Sequence, residues 1–210
     1  ARFQTGHVSH VLAPRINAVG RLGSAARGVE LLLAESEVEA ESIAEEMEAQ
    51  NRERRDVDRQ TLDEAMDLLS RGYDPEQDYA VVLASAGWHP GVIGIVASRV
   101  VERIHRPTVL IALEAGGPHG RGSARSIPAF DLFEAIRSCG EHLERFGGHK
   151  YAAGLEIRPE RIDAFRTALN AHARAVLEPD DLVPEVEVDL EVRLPEADGD
   201  RVTFEGDPND

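Results

Sequence analysis

The residues of this chain best suited to chemistry form a histidine set directly after two glycines, Gly147-Gly148-His149. Glycine frees the backbone for positive φ and lets it come close to a ligand. Lys150 follows, the single lysine among 23 basic residues, and then Ala152, Ala153 and Gly154, small enough to let something pack tightly. Such a loop can offer N–H groups and an imidazole to an oxyanion such as phosphate. The alternative is a helix C-cap followed by a well-packed turn, because glycine also ends helices. A second set is Gly120-Arg121-Gly122-Ser123-Ala124-Arg125-Ser126-Ile127. In an extended strand Ser123 and Arg125 share a face, and a hydroxyl with a guanidinium can hold one phosphate. An edge strand showing polar groups to water would look the same. A third set is Pro14-Arg15-Ile16-Asn17-Ala18-Val19-Gly20-Arg21. It is either an anion-contacting loop or a connector whose arginines are solvated. His7 and His10 have H-x-x-H spacing but no acidic third ligand nearby, which argues against a metal there. Trp88-His89 could stack on a base or simply pack.

The elements that must position these residues are legible in outline. Residues 1–23 read as strand or loop. From Ser24 the pattern is helical, and a long helix runs over about Glu37 to Leu69. Its ends are amphipathic, but Gln50-Asn51-Arg52-Glu53-Arg54-Arg55-Asp56 is polar on every side. That is the signature of a strut bridging two bodies through solvent. Arg52, Arg54 and Arg55 either face a polyanion there or are a solvated face. Tyr79–Ala84, then an apolar helix from Val92, then Thr108–Leu113 make a strand–helix–strand α/β unit. The apolar run Phe130 to Phe146 reads as one or two helices ending at the glycine pair. Leu155–Ile157 reads as a short strand, with an amphipathic helix after Glu160. Residues 183–194 alternate like a strand, and the rest is an acidic, turn-rich tail.

Composition narrows the classes. With one cysteine, Cys139, the chain has neither an internal disulfide nor a multi-cysteine zinc site. A net charge of −16 speaks against a generic nucleic-acid coat, whose footprint is basic. Arginine in place of lysine suits bidentate phosphate contacts, although a GC-rich genome gives the same bias and a high-salt cytoplasm the same acidity. No run suggests a signal peptide or a membrane span, so a cytoplasmic location is expected.

Four motifs then occur in one order: Pro14-Arg15-Ile16-Asn17-Ala18-x-Gly20-Arg21, Gly91-Val92-Ile93-Gly94-Ile95-Val96-Ala97-Ser98-Arg99, Gly122-Ser123-Ala124-Arg125-Ser126, and Gly147-Gly148-His149-x-x-Ala152-Ala153-Gly154. Together they resemble the C-terminal portion of the RecJ-type exonucleases, of the DHH phosphoesterase superfamily, over about residues 3–178. The last motif alone would indicate only a DHHA1-type substrate-binding domain, shared with other phosphoesterases and alanyl-tRNA synthetases. The resemblance implies an α/β fold: a DHHA1-type α/β domain joined by a long linker helix to the tail end of a DHH domain. Residues 1–35 would be the DHH remnant, 36–72 the helix, 73–178 the DHHA1 domain, and 179–210 the start of an oligonucleotide-binding domain or a tail.

The resemblance also implies a 5′→3′ exonuclease that releases mononucleotides from single-stranded DNA in DNA repair and recombination. Two Mn²⁺ or Mg²⁺ ions held by the DHH domain would generate the hydroxide and clamp the displacement. No Asp-His-His triplet occurs here. The chain therefore reads as a fragment without the metal-binding motifs, inactive alone and with no cofactor of its own. By the same resemblance Arg15, Asn17 and Arg21 would line the substrate side, and Ser123, Arg125 and Ser126 would hold phosphate, either of the backbone or at the 5′ terminus. Gly147, Gly148 and His149 would contact the phosphate near the scissile bond, with His149 a candidate stabiliser of charge rather than a base. Expected partners are single-stranded DNA and a single-strand-binding protein or helicase, with no membrane, and the chain is expected to be a monomer. The rival readings are a DHHA1 phosphoesterase of small oligonucleotides or dinucleotides and a non-catalytic nucleic-acid-binding module.

Overall fold

The computed structural model describes residues 4–114 and 116–185. It begins with helix where strand or loop was expected. A short turn, α1 (Thr5–His7), passes through a π-helical turn at Val8–Leu12 into α2 (Ala13–Leu22), and α3 (Ala26–Leu33) follows. Pro14 falls in the first turn of α2, where its missing N–H costs nothing. Ala18 and Val19 are fully buried. That packing outweighs the roughly 1 kcal/mol that a glycine such as Gly20 costs inside a helix.

Helix α4 (Glu37–Gly72) has 36 residues, about 54 Å of rise. Ser36 caps it by accepting from the Glu39 N–H. Ile43 and Met47 pack with Val19 at one end, while Leu62, Ala65 and Leu69 join a larger core at the other. Its middle differs from the solvent-bridging strut expected of it. Asn51, Asp58 and Thr61 are buried. One side of the polar stretch is covered by α2 and by the next helix, α5 (Ile93–Ile104). Asn51 there pairs with Arg54 and Asp58 with Arg99 of α5, while Asp58 Oδ1 and Arg54 Nε are buried without a partner.

The rest is a five-stranded sheet of β1 (Val81–Ser85), β2 (Thr108–Leu113), β3 (Gly120–Arg125), β4 (Arg145–His149) and β5 (Ala152–Ile157), in the order β1-β2-β3-β5-β4. The β1–β2 pair is parallel, bridged by α5, and the other pairs are antiparallel. Helices α6 (Leu132–Ser138) and α7 (Ile162–Val176) cover one face around Phe130, Ile136, Phe165 and Leu169. Helix α5, backed by α4, covers β1, β2 and part of β3 on the other.

The glycine pair is not a helix cap. Helix α6 stops at Ser138, a 3₁₀ turn takes Gly140–His142, and both glycines lie in the edge strand β4. Gly148 has φ +156°, and a Cβ there would come within 2.4 Å of the Ala152 carbonyl oxygen and 2.5 Å of Ala153 Cα. The β4–β5 hairpin closes only because nothing occupies that space. Of the strand expected at 183–194, residues 183–185 are described and are not strand; the remainder lies outside the described residues.

Candidate functional site

Strand register decides which side chains meet. Val81, Thr108, Arg125, Ala152 and His149 stand opposite one another in successive strands, so they share a face. The neighbouring row on that face is Leu83, Leu110, Ser123, Gly154 and Gly147. Both rows are apolar or close to it at β1 and β2, polar at β3, and small at β5. His149 lies two strands from Arg125, about 10 Å at the usual interstrand spacing, with only the Ala152 methyl between them in the row. A cavity of about 440 Å³ opens over this half of the sheet, lined by Pro90, Ile93, Arg121, Ser123, Arg145 and Gly154 among others.

Helix α5 approaches β3 closely. A Cβ on Gly94 would sit 2.9 Å from Ser123 Oγ and 3.0 Å from Arg125 Nη2. One on Gly91 would sit 2.2 Å from the carbonyl oxygen of Arg21. Arg21 Nη1 donates to the Gly91 carbonyl at 3.3 Å. These two glycines therefore let α2 and β3 converge on the start of α5. Arg125 donates from Nη1 to Ser123 Oγ at 3.2 Å and to the Ala124 carbonyl at 2.8 Å. The Ser123 hydroxyl thus accepts from the guanidinium and keeps its own proton to donate.

A second cavity, of about 220 Å³, is lined by Ser9, Pro14, Asn17, Arg21, Arg54 and Ile95 among others. Burial lowers the Arg54 guanidinium below its ordinary pKa; Asp58 opposes that shift, and Arg21, Arg55 and Arg99 add to it. Burial also lowers Arg125, with repulsion from Arg21 the second cause. Arg21 is therefore within electrostatic reach of both. Among the described residues none of these three arginines forms a salt bridge. Arg15 and Arg27 do, to Glu48 and to Glu46 and Glu30.

The expected site residues divide accordingly. Arg21, Asn17, Ser123 and Arg125 gather around the start of α5. Gly147 and His149 lie on the same sheet face as Ser123 and Arg125, while Gly148 belongs to the opposite row with Ala124 and Ala153. Arg15 turns to Glu48 and to the Val11 carbonyl at 2.7 Å, so it is already neutralised. The Ser126 hydroxyl donates to the Phe130 carbonyl at 2.9 Å and has no second proton to offer. Trp88 is packing: it is buried, and its Nε1–H donates to Glu64 at 2.9 Å. Arg54 was legible only as one of three arginines in a polar stretch. The signal was its spacing, since 43, 47, 51, 54, 58, 62, 65 and 69 make one continuous stripe on α4. Arg52 and Arg55 lie off that stripe, exposed and paired with Glu48.

Among the described residues no three His, Cys, Asp or Glu side chains gather as a ligand set. Nor is any described helix long and apolar enough to cross a membrane.

Residues 76–175, which contain all five strands of the sheet, match the DHHA1 domain family. Along most of its length the chain is homologous to RecJ proteins. It is 42% identical over 184 residues to the single-stranded-DNA-specific exonuclease RecJ of Bacillus subtilis, covering 87% of this chain and 23% of that protein. The Thermus thermophilus RecJ is 40% identical over 174 residues, covering 82% of this chain and 24% of that protein. The crystal structure of the Thermus protein in complex with Mg²⁺ superposes with a TM-score of 0.74 at 37% identity, over 86% of this chain and 27% of that one. An exonuclease RecJ bound to manganese superposes with a TM-score of 0.73 at 37% identity, over 86% of this chain and 44% of that one. The chain thus spans about a quarter of the length of the RecJ sequences it matches.

Proposed function

We propose that this chain is the substrate-gripping portion of a cytoplasmic 5′→3′ single-strand-specific DNA exonuclease. One observation carries the reading. In a chain of net charge −16, Arg21, Arg54 and Arg125 converge from three different elements without a salt bridge among the described residues. Arg54 and Arg125 are partly desolvated and both are repelled by Arg21; such like charges are costly to hold together, and an anion lowers the cost. A phosphate at the start of α5 would accept charge-assisted hydrogen bonds from Arg125 and Arg21 and a further hydrogen bond from the Ser123 hydroxyl. The bare floor of Ala152, Gly154 and Gly147 lets a sugar–phosphate backbone lie close to the sheet. His149, at the far side of that floor, would donate to the next phosphate.

On this reading residues 1–35 are the last part of a DHH domain and α4 spans the two bodies whose cleft the strand enters. The homologous structures contain Mg²⁺ or Mn²⁺. When bound, such ions would supply the activated hydroxide, held by residues outside this chain. The chain's own work is binding and orientation.

A titration at low salt tests the reading, using a short oligothymidylate with a 5′-phosphate or a 5′-hydroxyl and anisotropy as the readout. The phosphorylated strand should bind tighter, and affinity should fall as salt rises. With added Mn²⁺ the chain alone should release no mononucleotide. Equal binding of the two strands, or Arg125→Ala binding like the parent, would remove the phosphate assignment.

A further inference from the structure

Asp58 sits in the middle of α4, 2% exposed. A buried carboxylate is costly unless paired. Its Oδ2 is ion-paired with Arg99 Nη1 of α5 at 2.6 Å, while Oδ1 is buried without a partner. Arg54 lies one turn earlier on the same stripe. Its Nη2 donates to the buried Asn51 Oδ1 at 3.1 Å, and its Nε is buried without a partner. Arg21, Arg55 and Arg99 repel Arg54, and Asp58 attracts it.

A seam meant only to hold helices together would be apolar, as this stripe is at Ile43, Met47, Leu62 and Leu69. A half-satisfied polar network is worse for stability than an apolar one. The polar stretch lies where α4 passes the cavity lined by Asn17, Arg21 and Arg54. We infer that Asp58 is a positioning residue: its buried carboxylate, one turn along α4 from Arg54 and paired with Arg99, acts through its field to keep the Arg54 guanidinium tolerable beside Arg21 and so gives the site its preference for a terminal phosphate. This role rests on the phosphate reading above. From behind, the carboxylate offsets the repulsion among the arginines before a ligand arrives.

The test uses the 210-residue chain and the ratio of its affinities for 5′-phosphorylated and 5′-hydroxyl oligothymidylate. Asp58→Asn keeps the shape and removes the charge, and the ratio should fall about tenfold, within the range for residues of one ion-pair network. Arg54→Gln should lower the ratio by the same factor, and the double variant by no more than either single one. Arg99→Gln also breaks the α4–α5 bridge, yet should keep the ratio. If Asp58→Asn fails to fold, Asp58→Leu with Arg99→Leu replaces the bridge by apolar packing and should lose the preference as well. Asp58→Asn or the double leucine variant with the parent's ratio overturns the positioning role, as do losses that simply add. In those cases Arg125→Ala still reports on the phosphate reading. A parent with no preference removes both.

Discussion

The two faces of the sheet are built from the same strands and do opposite things. Toward α6 and α7 one row runs Val82, Val109, Ala124, Ala153 and Gly148, and the next Ala84, Ile111, Gly122, Leu155 and Phe146. Most of these residues belong to one buried core. Toward α5 the rows begin equally apolar but change at β3 to Ser123 and Arg125, then to Ala152 and Gly154, and end at Gly147 and His149. Helix α5 stops short of β5 and β4, and the uncovered half carries no large apolar side chain. Burial on the first face supplies folding energy; the second gives up that energy to leave backbone and guanidinium groups accessible.

Adjacent residues of β5 give the sharpest way to break this contrast. Ala153→Asp places a charge in the packed face and should cost more than about 4 kcal/mol, seen as loss of the unfolding transition in urea. On the open face, Arg125→Ala should leave the melting temperature within a degree or two. Its affinity for the phosphorylated strand should fall between about tenfold and a hundredfold, the worth of hydrogen bonds to a charged group. Gly154→Val is a subtler probe. Its Cβ would meet nothing nearer than the Gly122 carbonyl oxygen at 3.8 Å. Stability should therefore hold or rise slightly in a strand that favours β-branched residues. Two methyl groups over the floor should still weaken binding about fivefold to tenfold through lost close approach. A normal affinity would mean that the strand does not lie on this floor. The smallest effect belongs to Arg52→Gln. Arg52 is 62% exposed and 3.9 Å from Glu48. Its removal should change stability by less than about 0.5 kcal/mol and binding by less than about twofold.

The arginines show why part of the site was legible and part was not. Ser123 and Arg125 could be placed on one face from alternation alone, because strand geometry repeats every second residue. Arg15 and Arg21 looked equivalent in sequence, flanking the same asparagine. Only the packing of α2 on α4 brings Glu48 to Arg15 and leaves Arg21 to the Gly91 carbonyl. Arg52, Arg54 and Arg55 formed one run, and the rotation of a helix about its axis sent one inward and two to solvent.

Local pattern was enough for the strand–helix–strand unit, the length of α4, and the four ordered motifs with their implied kinship. Each depends on residues close together in the chain, where propensity and periodicity act directly. It was not enough for the helical start, where buried Ala18 and Val19 overrule glycine, nor for the glycine pair, which pairs with β5 instead of ending a helix. Nor could it tell a free guanidinium from a neutralised one. That depends on which carboxylate comes within a few ångströms, and distances between residues far apart in sequence exist only once the helices and the sheet have packed.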